Sequence, residues 1–158
     1  MLFEDEDRIR IQYQLNTSLF LFPKEKVIDE VRRYLSASNR MDKKAEMEKA
    51  VESIADNFAF RDRGDSVIMD AKAKTDKRIS AIRFLRNNPR TQSLDTYLTF
   101  LNDTSVPQNL RVLMAEALGW FDLSCRKADI RFFIRKMLVE GQPDDLKEEL
   151  LQTLERLR

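Results

Sequence analysis

Apolar residues recur every three or four positions along most of this chain, and that spacing predicts a series of amphipathic helices. After Pro23, for example, Val27, Val31 and Leu35 fall on one helical face. Predicted helices cover residues 23–35, 43–60, 76–87, 90–102, 107–121, 126–140 and 143–157. The hydrophobic pattern therefore predicts an all-α fold.

Proline and glycine mark the predicted ends of these helices. All four prolines fall at a predicted helix start, where the missing amide hydrogen leaves no helical bond unmade. Gly141 is predicted to be a left-handed cap after a helix. The polar run 61–65 predicts a loop or break, followed by a weaker helical stretch over 66–74. Residues 8–15 alternate apolar and polar side chains, so strand and helix both stay open there.

The composition agrees with a helical domain. The chain has 158 residues, only three glycines and four prolines, and 35% charged residues. An all-β fold needs more turn residues than these. We therefore predict a single all-helical domain over 1–158, in which 1–65 has weak repeat character and 66–158 consists of repeats.

Two segments of the chain are similar to each other at a spacing of 33 residues. One begins at Arg78 and reads RISAIRFL, and the other begins at Arg111 and reads RVLMAEALG. Fainter copies start at Lys44 and Lys147. Similarity at this period is typical of helical repeats, which stack to bury a continuous core. The alternative is a generic helical bundle in which the similarity is accidental.

The most specific pattern lies in residues 94–121, which read LDTYLTFLNDTSVPQNLRVLMAEALGWF. This segment resembles a HEAT-like repeat of armadillo-type helical solenoids, of the kind also seen in phycobilisome lyases. The resemblance implies a short right-handed α-α superhelix of about seven to nine helices. It also implies that the residues at the matching positions have structural roles in the repeats. Asp–Arg contacts are expected to stack along the solenoid. The matching positions are Leu94, Leu98, Leu101, Asp103, Arg111, Ala117, Leu118 and Gly119. Arg78 is the structural arginine that opens the earlier copy.

Physical reasons support these roles. Small residues at Ala115, Ala117 and Gly119 keep one helix face thin, so we expect a neighbouring helix to approach closely there. Leu118 is expected to fill the core between repeats. Asp103 is expected to cap the next helix or to accept a hydrogen bond from Arg111.

The residue inventory removes most catalytic chemistry. The chain contains no histidine and one cysteine, Cys125. Histidine-dependent catalysis, ordinary zinc sites and disulfides within the chain are therefore excluded. Three scattered glycines cannot form a phosphate-binding loop. We predict a protein that is not an enzyme and needs no cofactor or metal.

Basic residues provide the candidate binding face. Lys127, Arg131 and Arg135 lie four residues apart and so share one helical face. Residues 61–90 hold nine basic and four acidic side chains, with Arg83, Arg86 and Arg90 near the end. Stacked repeats would bring both groups into a track for phosphates or an acidic peptide. The alternative is an ordinary solvated helix surface.

Trp120 and Phe121 follow the best repeat helix. An exposed tryptophan marks a binding hot spot, but aromatic residues at a helix end more often fill the core. The sequence favours the core position for both.

These features together predict a non-enzymatic scaffold that binds a protein partner of unknown identity. The alternative is a nucleic-acid-binding module similar to HEAT-like DNA alkylation repair proteins, which would use the basic face. The net charge of +1 weakens that alternative. The longest apolar run, at residues 19–22, is too short to cross a bilayer, and a cytoplasmic location is expected.

Overall fold

The computed structural model describes residues 22–36 and 44–158, and every regular element in these ranges is helical. A 3-10 turn at Thr91–Ser93 leads into α4. The helices are α1 (Lys24–Ser36), α2 (Lys44–Met69), α3 (Thr75–Asn87), α4 (Leu94–Asn102), α5 (Gln108–Leu118), α6 (Lys127–Glu140) and α7 (Asp144–Arg156). The all-α prediction is thus confirmed, while the ambiguous residues 8–15 lie outside the described residues.

Three of the four prolines mark a helix start, whereas Pro89 precedes the 3-10 turn at Thr91–Ser93 and not α4 itself. Pro107 and Pro143 occupy the position before the first residue of α5 and α7, and Pro23 directly precedes α1. Gly141 follows α6 with a φ of 86°, a backbone conformation that side chains disfavour. Its ψ of 133° is extended, so Gly141 does not adopt the left-handed helical conformation that was expected. The positive φ still favours glycine at this position.

Helix α2 contradicts the predicted break at 61–65, because it continues without interruption to Met69. Glycine in a helix interior costs about 1 kcal/mol relative to alanine, so Gly64 alone does not forbid this. Contacts from later segments fix the helix on both sides of the glycine. Arg61 donates to the carbonyl of Asn88 over 3.2 Å, and Asp65 accepts from Ser93 Oγ over 2.6 Å. The turn predicted at 61–65 falls instead at 70–74.

The helices pack as three successive hairpins, α2–α3, α4–α5 and α6–α7, with α1 against α2. Helices α3, α5 and α7 lie side by side in one layer. The other layer contains α4, which packs on α6 and hydrogen-bonds to α2 through Asp65. One continuous core between the layers joins the three hairpins, and a small separate cluster joins α1 to α2.

The sequence repeat is also a repeat of contacts. The Nε of Arg78 donates to the Ile68 carbonyl over 3.0 Å, and the Nε of Arg111 donates to the Leu101 carbonyl over 2.8 Å. Both arginines are buried, with exposed fractions of 6% and 4%. In the first two hairpins the arginine of the second helix therefore satisfies a carbonyl at the end of the first helix, which has no helical partner of its own.

Equivalent positions of consecutive hairpins also touch. Thr91 and Ser124 are 33 residues apart, and their hydroxyl oxygens lie 2.7 Å apart in a buried hydrogen bond. This contact agrees with the side-by-side packing of consecutive hairpins. The stacked hairpins agree with a helical repeat, while the specific likeness to HEAT repeats stays a prediction.

Asp–Arg contacts do join the hairpins, but they use other residues than predicted. Asp62 of α2 pairs with Arg90, and Asp95 of α4, 33 residues later, pairs with Arg126 over 2.7 Å. The expected contact of Asp103 with Arg111 is wrong. Asp103 accepts bonds from the amide and hydroxyl of Ser105 over 2.9 and 2.7 Å. Those bonds are the main reason that its pKa lies below the usual value, and the charge of Arg111 adds a smaller effect.

The small residues of α5 lie where a neighbouring helix approaches. Leu118 is fully buried. A Cβ atom at Gly119 would lie 2.9 Å from the Cδ of Arg156 in α7 and 3.1 Å from the Glu116 carbonyl oxygen. A larger residue at 119 would therefore displace the Arg156 side chain. This close approach agrees with the tight packing predicted for this helix face.

Candidate protein-interaction surface

The predicted basic residues do not form one continuous face. Arg90 is a correction, because it is buried with an exposed fraction of 1%. It pairs with Asp62 and lies 3.3 Å from the carboxylate of Asp65, so it holds the loop before α4 against α2. A buried, doubly paired guanidinium cannot contact a partner on the surface.

The second basic group lies on α6, which packs against α4 and α7. Lys127 donates to the carbonyl of Arg158 over 3.0 Å, so part of its role is to hold the end of the chain. Arg131 is half-buried, and Arg135 is exposed. None of the three lines the groove that contains Arg83 and Arg86. The structure therefore does not bring the two groups into one track.

Arg83 and Arg86 lie in a groove of about 550 Å³ between α3 and α5, here called the α3/α5 groove. Its floor is apolar and its rim is polar and aromatic. The floor consists of Ile82, Leu113 and Ala117, and the rim consists of Arg83, Arg86, Asn87, Glu116 and Trp120.

Arg86 reaches from α3 to two residues on the α5 side of the groove. Its guanidinium carbon lies 4.7 Å from the centre of the Trp120 ring, and its Nη1 lies 3.1 Å from Glu116 Oε1. Such exposed cation–π and ion-pair contacts are each worth about 1 kcal/mol or less. These two contacts hold the guanidinium in one orientation. Because the ion pair with Glu116 is weak, a ligand carboxylate can take the place of Glu116.

Trp120 differs from its neighbour in burial, and this corrects the expectation that both aromatic residues fill the core. Phe121 is fully buried and packs edge-on against Tyr97, with ring centres 6.2 Å apart. Trp120 has an exposed fraction of 41%, which is high for so large an apolar ring. The side chain is thus available to a partner at the end of α5.

The electrostatics of the groove favour a negatively charged ligand. Arg83 is exposed and forms no ion pair within the described residues. Arg86 is opposed only by Glu116 among the residues that line the groove. A guanidinium binds a carboxylate through two parallel hydrogen bonds, and the apolar floor can hold an adjacent apolar side chain.

Sequence reasoning missed Glu116 and Leu113 as members of this site. The repeat contained the signal, since Glu116 lies 33 residues after Arg83 and so occupies the equivalent place on the next hairpin. Residues at equivalent positions of neighbouring repeats line the same surface of the stack.

Comparisons with protein-family models, with curated protein sequences and with solved structures found no match to this chain. Within 22–36 and 44–158, no group of acidic or cysteine side chains is arranged to hold a metal ion. None of the helices described in those ranges combines the length and the apolar character needed to span a bilayer.

Proposed function

We propose that this chain is a non-enzymatic scaffold that binds a protein partner in the α3/α5 groove. The observation that carries the proposal is the exposed Trp120 ring with the Arg86 guanidinium stacked on it. Tryptophan and arginine are the residues most enriched among those that dominate binding energy in protein interfaces.

The groove is built on packed helices, which supports a binding role. Ile82 and Ala117, at its floor, are residues of the hydrophobic core, with exposed fractions of 0% and 2%. A site built on such residues is already ordered before a partner binds. Pre-organisation of this kind preserves affinity that a mobile loop would lose on binding.

The partner segment that fits this groove carries a carboxylate beside an apolar or aromatic side chain. Arg83 and Arg86 supply the positive charge, and Leu113 contributes to the apolar lining of the same groove. Linear acidic motifs are recognised by arginine clusters in this way in other proteins.

Nucleic acid is the competing ligand, and the distribution of charge weighs against it. Tight binding to a phosphate backbone needs many neutralised phosphates along a continuous track. Here Arg90 is buried, and Lys127, Arg131 and Arg135 lie on α6, away from the α3/α5 groove.

A peptide selection tests the proposal. Short random peptides displayed on phage are selected on the full chain, and the affinities of enriched peptides are measured by fluorescence anisotropy. We expect enriched peptides to carry Asp or Glu beside an apolar residue. Trp120→Ala and Arg86→Ala should each weaken binding by about tenfold or more. Phe132→Ala is the matched control, because Phe132 is exposed on α6 outside the groove.

Two results would contradict the proposal. The first is a set of enriched peptides whose affinity is the same for the wild-type chain and the Trp120→Ala variant. The second is preferential binding of a labelled DNA or RNA duplex, with an affinity that falls steeply with salt and depends on Arg131 and Arg135.

A further inference from the structure

A second groove, of about 530 Å³, opens between α2 and α3 at the first hairpin of the stack. We call it the α2/α3 groove. Its walls include Phe60, Val67, Ala81 and Phe84, and the residues that line it come from α2, α3 and the segment leading to α4. No described residue of α1 is among them. The described part of the chain therefore leaves this apolar surface open, although α1 packs against the same helix α2.

Two phenylalanines make the groove unusually apolar for an exposed surface. Phe60 and Phe84 have exposed fractions of 57% and 43%, and their rings pack edge-on with centres 6.2 Å apart. Exposed apolar side chains that lie together in a groove are frequent at interaction sites of folded proteins.

The repeat shows what kind of surface this is. When the groove positions Val67, Ala81 and Phe84 are shifted by 33 residues, they become Phe100, Met114 and Ala117. The second set is buried, with exposed fractions of 1%, 0% and 2%. Those residues lie in the core where the second hairpin packs against the first. The α2/α3 groove is thus the corresponding face of the first hairpin, with no hairpin before it among the described residues.

A helix is the element that this face accommodates, because helix α3 is what covers the equivalent side of α5. The rim is mainly basic. Arg63 and Lys77 are exposed and have no ion-pair partner among the described residues, and the guanidinium of Arg61 lies 5.9 Å from the Phe84 ring. Asp76 is the exposed acid of the rim, whereas Asp65 bonds inward to Ser93.

We propose that the α2/α3 groove docks an amphipathic helix of a partner protein, with an apolar stripe on Phe60, Ala81 and Phe84 and acidic residues beside it. The apolar stripe matches the walls, and the acidic flanks match Arg63 and Lys77. This docking surface is separate from the α3/α5 groove and does not depend on the function proposed for that groove.

The probe is a synthetic helical peptide of about four turns, with leucines on one stripe and glutamates beside it. Its controls are a peptide with lysines in place of the glutamates and a peptide of the same composition with a scrambled order. Binding to the full chain is measured by fluorescence anisotropy. Amide hydrogen exchange then maps the protected segments. We expect protection in α2 and α3, and affinity in the order glutamate, lysine, scrambled.

Variants locate the site. Phe84→Ala removes half of the aromatic pair, and Ser80→Glu places a negative charge on the exposed wall of the groove. Each is expected to weaken binding of the glutamate peptide by about tenfold or more. Phe132→Ala should leave the affinity unchanged, and circular dichroism checks that every variant retains its helical content.

Four results would overturn the inference. Equal affinity for the scrambled peptide would show that the groove does not select an amphipathic helix. Protection outside α2 and α3 would show that the peptide binds elsewhere on the chain. A dimer in sedimentation velocity that Ser80→Glu dissociates would identify the occupant as a second copy of the chain. A photo-crosslink from Ser80→benzoylphenylalanine to a segment of the same chain outside α2 and α3 would show that this segment fills the groove.

Discussion

The buried arginines of the repeat are the most direct target for a stability measurement. Arg111→Met keeps an aliphatic side chain in the core but removes the donor to the Leu101 carbonyl. Arg78→Met makes the equivalent change one hairpin earlier, at the Ile68 carbonyl. Because the two donor–acceptor distances are 2.8 and 3.0 Å, the same type of bond is lost in both variants.

The expected magnitude follows from the bond and its burial. A hydrogen bond to a charged donor contributes about 1.5–3 kcal/mol, and its loss leaves a carbonyl with no helical partner. Arg78 also lies 5.5 Å from the Phe100 ring, a contact worth up to about 1 kcal/mol more. Arg111 likewise makes a second contact, since its Nη2 donates to Gln142 Oε1 over 3.3 Å. We therefore expect a loss of about 1.5–3 kcal/mol for each of the two variants.

Urea denaturation followed by circular dichroism measures both values. The control is Arg135→Met, which removes an exposed arginine that has no ion-pair partner among the described residues. It should change the free energy of unfolding by less than about 0.5 kcal/mol. In thermal melts, each kcal/mol of lost unfolding free energy should lower the midpoint of thermal unfolding by about 2–4 °C.

A neutral or stabilising effect of both buried substitutions would refute this reasoning. It would mean that the energy needed to bury the guanidinium exceeds what its hydrogen bonds return, as happens for some buried charges. A loss at Arg111 with none at Arg78 would show that the two hairpins are not energetically equivalent, despite their matching geometry.

Three further changes test other parts of the structure. Gly64→Ala should stabilise the fold by about 0.5–1 kcal/mol in urea denaturation, because a Cβ atom there meets no atom within 4 Å and α2 is continuous. Tyr97→Phe should destabilise it by about 1–3 kcal/mol, since Asp65 loses the buried hydroxyl that donates to it. The pKa of Asp103 is lowered by Ser105, so its contribution is present above the ordinary carboxyl pKa and is lost as the pH falls through the lowered value. Asp103→Asn should therefore flatten the acid limb of the stability–pH curve, measured by urea denaturation at a series of pH values.

The hydrophobic period and the prolines were sufficient to predict most helices, because both act within a few residues along the chain. The continuity of α2 was not predictable in this way. Its support comes from Asn88, Ser93 and Tyr97, which lie 23 or more residues further along the chain. Glycine and charge at 61–65 are a local signal for a turn, and these distant contacts override it.

The candidate surface was predictable only in part, since a sequence shows charge but not burial. Arg83, Arg86 and Arg90 look alike in the sequence, yet Arg90 is buried against Asp62. Trp120 and Phe121 are likewise adjacent at a helix end, where the helical period no longer indicates which side chain turns inward. The 33-residue repeat did contain the position of Glu116, opposite Arg86.

Comparative affinity capture shows whether the α3/α5 groove binds a protein partner. Extract of the native cell, treated with nuclease, is passed over the wild-type chain, the Trp120→Ala/Arg86→Ala variant and the Phe132→Ala control. Bound proteins are quantified by mass spectrometry. The account predicts at least one protein that is enriched on the wild type and the control and lost on the double variant. Equal recovery of every enriched protein on all three chains would contradict it.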